Sequence, residues 1–244
     1  MITTIEDLHE HLQWAIELEH ATIPPYLCAL YSIKDGSNIE SVEVIQSVFI
    51  EEMLHMALVA NIMIATGGSP KLDYPEFIAK YPTPLPHSDE SFQVDLNKFS
   101  PESIECFLQI ERPANADAPS QEEGFASIGQ FYKALEEGLI YLSQKLGDKV
   151  LFTGNPDHQV TAKTTYYGGA GHLICVTDLN SALKALEEVV EHYNSGGKES
   201  STIDPLMKHV GTGLGLTSQE KEDLVNFLKT LTDTAFISNP IFQP

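Results

Sequence analysis

The 244 residues include 35 Asp or Glu against 14 Lys or Arg, a formal charge of -21. That imbalance repels phosphate backbones and anionic headgroups, so nucleic acid and membrane surfaces are excluded as partners. Hydrophobic residues make up 42% of the chain and charged ones 20%, which excludes a disordered or collagen-like chain and allows a buried core.

No apolar run approaches the roughly 20 residues that cross a bilayer. Met1 to Trp14 is acidic and polar, without the apolar stretch of a secretion signal, so a cytoplasmic location is expected. Cys28, Cys106 and Cys175 are widely spaced among apolar neighbours and read as small buried residues, not as a disulfide framework or a zinc site. No Cys-x-x-Cys-His occurs, so no covalent c-type haem is expected.

A first helix is predicted from Ile5 to Thr22, with Leu8, Leu12 and Ala15 on one stripe and Thr3-Thr4 ahead of Glu6-Asp7 as its cap. Ile23-Pro24-Pro25 should end or kink it, because proline lacks an N–H and constrains the residue before it. Helical pattern resumes from Tyr26 to Ile33, then turns at Lys34-Asp35-Gly36-Ser37-Asn38. A second helix runs from about Ile39 to Thr66 and stops at Gly67-Gly68-Ser69-Pro70.

From Lys71 to Gly124 the chain is proline-rich, with one short amphipathic stretch near Pro101 to Ile110, and is longer than an ordinary loop. Ala126 to Leu146 is a third helix, with Ile128, Phe131, Tyr132, Leu135, Leu139 and Leu142 on its apolar stripe. Lys149 to Val176 reads as irregular. A fourth helix follows from Thr177 or Asp178 to about Tyr193, stopped by Asn194-Ser195-Gly196-Gly197. Ser218 to Leu231 is an amphipathic helix in a tail.

Two helical hairpins joined by a long crossover is the connectivity of a ferritin-like four-helix bundle. The expected fold is therefore all-α: that bundle over residues 1–195 with irregular loops, and a C-terminal tail, 196–244, with one extra helix packed on or beside it.

Within the second helix, Glu52 and His55 form a Glu-x-x-His step. Three residues advance a helix by about 300° and roughly 4.5 Å, so both side chains can reach one metal ion. Val48, Val59 and Ile62 share their stripe and point the pair inward. Taken alone the motif is common on surface helices, as are most single carboxylates in so acidic a chain. Glu19 strengthens it by continuing the stripe of Leu8, Leu12 and Ala15, whereas Glu17 and His20 fall on other faces. An ionised carboxylate in an apolar bundle costs several kcal/mol unless paired, and these helices offer few lysines or arginines, so a cation is the natural partner.

The third helix offers Glu136 or Glu137, with Glu136 slightly favoured by its place one turn from Tyr132 and Leu139, and Gln130 as a supporting polar group. On the fourth helix Glu188, Glu191 and His192 are candidates, with His209 of the tail as an alternative nitrogen donor. Ferritin-type sites take one glutamate from each of two helices and Glu-x-x-His from the other two, and the second such step is missing here. Oxygen-rich ligands with one or two imidazoles suit iron or manganese. His87, His158 and His172 read as loop residues at solvent. No nucleophile triad, Walker loop or dinucleotide fingerprint stands out.

The blocks from Trp14 to Leu27 (Trp14-Ala15-Ile16-Glu17-Leu18-Glu19-His20-Ala21-Thr22-Ile23-Pro24-Pro25-Tyr26-Leu27) and from Glu51 to Met56 resemble the ferritin-like domain family of the iminophenyl-pyruvate dimer synthases of violacein and rebeccamycin biosynthesis. The likeness continues through Gly67-Gly68-Ser69-Pro70, Tyr81 to Pro86 and Ile128 to Tyr132, and covers roughly residues 1 to 195. It implies metal-ligand roles for Glu19, Glu52 and His55, and places Glu191 at a glutamate followed in such proteins by Gln-Gly-Glu-Gly. Here His192-Tyr193-Asn194-Ser195 stands there instead. The tail from Leu214 to Asp233 with Asn239-Pro240 resembles the end of dihaem cytochrome c peroxidases, without haem ligands.

The function expected from the sequence is a dinuclear iron centre, with manganese as the alternative metal, that uses dioxygen to oxidise a small organic substrate. A metal-binding or storage protein and a metal-free, partner-binding bundle are the competing readings, and the sequence leaves a homo-oligomer open.

Overall fold

The computed structural model describes residues 1–112, 118–161 and 172–195, the last six of these as backbone only. The first helix, α1 (Ile5–Tyr31), starts at Thr4, whose hydroxyl accepts from Asp7 N at 3.0 Å while the Asp7 carboxylate accepts from Thr4 N at 3.2 Å. This reciprocal cap satisfies two amides that a helix start leaves without partners.

The break expected at Pro24-Pro25 does not occur, and α1 continues through both prolines as one helix of 27 residues. A proline inside a helix frees the carbonyl four residues back. For Pro25 that carbonyl is Ala21 O, and the Tyr81 hydroxyl of the crossover donates to it at 2.7 Å. A tertiary hydrogen bond thus replaces the missing local one. Replacing Tyr81 by Phe should lower stability by about 1–2 kcal/mol. In a Pro25→Ala background, where the new amide can take the carbonyl, the same change should cost less. Urea denaturation of the four proteins measures this, and equal losses in both backgrounds would refute the compensation.

The second helix, α2 (Ile39–Ala65), has a mean hydropathy of 1.6 over 18 residues, so by length and composition it could cross a membrane, contrary to the sequence expectation. Its apolar surface instead packs mainly on α1, and its buried Asn61 donates to Val160 O at 3.0 Å and Ile174 O at 3.1 Å and accepts from Val160 N at 2.7 Å. Those bonds tie the end of α2 to the segment leading into the last helix.

The crossover holds a 3₁₀ turn (Pro75–Phe77), two isolated bridges, and α3 (Pro101–Ile110), which starts at a Ser100–Ser103 cap with proline in its first turn. After it come α4 (Ile128–Leu146), the short α5 (Asp148–Leu151), a 3₁₀ turn (Pro156–His158) and α6 (Leu179–Ser195). Asp178 starts α6 by accepting from Ser181 N at 2.8 Å. No strand occurs among the described residues. The expected tail helix at Ser218–Leu231 lies outside them.

Three contacts set the directions of the main helices. His9 near the start of α1 bonds to Thr66, just past the end of α2, at 3.1 Å. Lys145 in the last turn of α4 donates to Thr3 O at 3.2 Å, and Leu179 N donates to Asp148 Oδ2 at 3.3 Å. The starts of α1 and α6 and the ends of α2 and α4 therefore share one pole. α1 lies against α2 and α4, and α6 against the same two, giving a four-cornered bundle with α2 and α4 parallel across a diagonal. Two parallel helices cannot be joined by a tight turn, which is the physical reason for the long crossover.

The cysteines are less buried than expected: Cys28 and Cys106 are half-buried and Cys175 is exposed; all three are free thiols.

Candidate metal centre

Fourteen residues of α1 separate Ile5 from Glu19, or about 20 Å of helix. Similar lengths run back from the ends of α2 and α4 to Glu52 and Tyr132. These side chains therefore meet at one level of the bundle. Glu19 and Glu52 are 0% exposed and His55 is 1% exposed. One ligand atom from each lies within 4.8 Å of the other two. His55 Nδ1 is 3.4 Å from Glu19 Oε2 and 3.9 Å from Glu52 Oε1.

Neither α1 nor α2 contains a lysine or arginine. Ligand distances of about 2.1 Å around one ion put its donors roughly 3–4 Å apart. The two separations from His55 Nδ1, 3.4 and 3.9 Å, fall in that range, and two carboxylate oxygens with an imidazole nitrogen suit a divalent transition metal in chemistry.

Hydroxyl groups surround the carboxylates. Tyr132 Oη donates to Glu19 Oε1, and Thr22 Oγ1 donates to Glu52 Oε2 at 2.6 Å. Close by, Tyr26 Oη donates to Glu111 Oε1 at 2.5 Å. Burial and the charge of Glu19 push the Tyr132 phenol well above its ordinary pKa; burial, Glu111 and Glu52 do the same to Tyr26. Both stay neutral donors at physiological pH. In the sequence Tyr132 stands on the apolar stripe as a packing residue, and no motif there marks Thr22, Tyr26 or Glu111 as site residues. The usable signal was the spacing of Thr22, three residues past Glu19 on the same helix face.

The helix-three carboxylate expected at Glu136 or Glu137 does not reach the core: both residues are exposed. Each residue turns a helix by about 100°, so Glu136 sits about 40° further round than Tyr132 and passes from the edge of the core to the surface. Glu137 accepts from Ser120 Oγ at 2.7 Å on the outside. Gln130 is buried, and it donates to Pro119 O at 2.9 Å and so ties down the crossover. From the bundle's third helix in sequence, then, the core receives a phenol in place of a carboxylate.

On α6, Glu187 is exposed and Glu188 half-buried. The α6 backbone reaches the level of the site near Glu191 and His192, whose side chains lie outside the described residues, as does His209. Among the described residues, the cluster of Glu19, Glu52 and His55 is the one group with metal-ligand spacing.

A second polar cluster lies on another face of α1. Glu17 Oε2 is 3.0 Å from His87 Nε2, and Glu17 Oε1 accepts from Tyr74 Oη at 2.5 Å. Burial raises the pKa of Glu17, but hydrogen bonds from His87, Tyr74 and Gln13 outweigh it and hold the carboxyl below its ordinary value. The His87 ring stacks on Trp14 with centroids 4.2 Å apart. His87 is thus a half-buried partner of Glu17, not the solvent-facing loop residue expected. His158 and His172 are exposed loop residues.

A bundle of two antiparallel hairpins with carboxylates and a histidine converging in its core defines the class of ferritin-like proteins. The family profile named Ferritin-like matches residues 12–208, and the chain belongs to that family. It is also similar to the crystal structure of a ferritin-like protein from Caulobacter vibrioides, at 25% identity and a TM-score of 0.58, over 99% of this chain and 91% of that one. Among curated proteins nothing matches.

Proposed function

We propose that this protein is a metal-dependent oxidase or oxygenase of small organic molecules, with Glu19, Glu52 and His55 as ligands and Glu191 of α6, with His192 or His209 as the nitrogen donor, completing the set. The observation that carries the reading is the convergence of two fully buried carboxylates and an imidazole, one ligand atom of each within 4.8 Å of the other two. Iron, as a pair, is the favoured metal and manganese the alternative; when bound, it would supply the capacity to react with dioxygen. The protein's own groups hold the carboxylates in place through Tyr132 and Thr22 and keep bulk water away from them. The resemblance to the iminophenyl-pyruvate dimer synthases supports an oxidative role, and coupling of two indole imines is not carried over to this chain.

A second reading, a metal-binding or storage protein without turnover, draws on the closure of the site, since catalytic metal sites keep a position open to substrate. Elemental analysis and the optical spectrum of protein from iron-supplemented cells, before and after air, test both. About two irons per chain, with an air-sensitive near-ultraviolet band and repeated dioxygen uptake in the presence of an oxidisable small molecule, support the oxidase. Uptake that stops once the bound iron is oxidised supports storage. Protein without metal would reject both in favour of a partner-binding bundle.

A further inference from the structure

Each carboxylate of the cluster has one oxygen engaged by a buried hydroxyl. Glu19 Oε1 receives the Tyr132 phenol, and Glu52 Oε2 receives the Thr22 hydroxyl at 2.6 Å. Thr22 Oγ1 also lies 2.8 Å from Glu19 O, but one hydroxyl proton serves one acceptor best, and a carboxylate is the stronger acceptor. The opposite oxygens, Glu19 Oε2 and Glu52 Oε1, are the ones 3.4 and 3.9 Å from His55 Nδ1. Thr22 and Tyr132 are both 0% exposed, so bulk water cannot take over either hydrogen bond.

We propose that Tyr132 and Thr22 are positioning residues that restrict Glu19 and Glu52 to one ligating oxygen each at the ion they share with His55. The inference rests on the metal-centre reading above and deepens it. A carboxylate left without such a donor can turn and chelate through both oxygens, as carboxylates do around cations that accept high coordination numbers. With one oxygen of each held back, two carboxylates and one imidazole supply three ligand atoms. The two hydroxyls thereby control how many protein atoms the ion receives, without touching it. They come from different helices, Thr22 from α1 and Tyr132 from α4, so the control depends on the assembled bundle.

The test uses full-length protein loaded with Co²⁺, whose visible absorption weakens as its coordination number rises. Tyr132→Phe and Thr22→Val remove the hydroxyls and nearly conserve volume; Thr22→Ser restores a hydroxyl. The expected result is a weaker, shifted visible band in both hydroxyl-free variants and a change in Co²⁺ affinity of about 10- to 100-fold, the usual effect of losing an outer partner of a ligand. Thr22→Ser should return the wild-type spectrum. Wild-type spectra and affinities in both hydroxyl-free variants would overturn the inference while leaving the metal centre standing. Failure of the wild-type protein itself to bind Co²⁺ would overturn the metal-centre reading, and this inference with it. Should Tyr132→Phe fail to fold, the comparison of Thr22→Val with Thr22→Ser decides alone.

Discussion

Replacing Glu52 and His55 together by alanine is expected to abolish metal binding and leave the helical circular dichroism close to wild type. Both side chains belong to the one cluster with metal-ligand spacing among the described residues, and both lie on α2, so the double substitution leaves Glu19 as its sole member. Loss of a hydrogen-bond partner behind a ligand costs roughly 10- to 100-fold in affinity, and removal of two ligands should exceed that. The fold should survive because α2 keeps Ile45, Leu58, Val59, Ile62 and Met63 in the core. Elemental analysis beside a thermal melt checks both halves. Retention of full metal content would place the metal elsewhere and sink the proposed function.

The largest expected effect on stability comes from Gly154→Ala. A Cβ built on Gly154 falls 1.7 Å from Ile64 O, a backbone atom at the end of α2 that cannot rotate aside. Gly154 N also donates to Ala65 O at 2.9 Å, so the close approach is held by a hydrogen bond that the substitution would break or bend. Overpacking in a core costs about 1–3 kcal/mol and occasionally more; a clash with backbone belongs at or above the top of that range. At about 2–4 °C per kcal/mol for a chain of this size, the melting temperature should drop by roughly 6–12 °C. A melting temperature within 2 °C of wild type would show that this loop can lift off α2 without penalty. Serine should behave like alanine, because the Cβ alone makes the clash.

Much of the bundle was legible because helix periodicity is a local property. The predicted span from Ile39 to Thr66 matches α2 (Ile39–Ala65), and the stretch predicted from Pro101 to Ile110 is α3, since caps, apolar stripes and stop signals lie within a few residues of each helix end. The continuity of α1 through its prolines was not legible for the opposite reason: the group that satisfies Ala21 O is Tyr81, 60 residues away. At the third bundle helix, Glu136 lay near enough to the apolar stripe to pass as inward-facing, and the buried arc of α4 stops just short of it.

By itself, the sequence determined that the chain forms an all-helical bundle with a long crossover and that Glu19, Glu52 and His55 face inward. Those conclusions need only the angle of 100° per residue and the cost of burying charge. Tertiary structure alone decided that the three converge within 4.8 Å and that α4 contributes a phenol and no carboxylate. It also decided that one oxygen of each carboxylate is held by a hydroxyl, Glu19 by a residue 113 positions away and Glu52 by one 30 positions away. Periodicity states which face of a helix is buried. Which neighbour meets that face, and at what height, depends on how four helices pack.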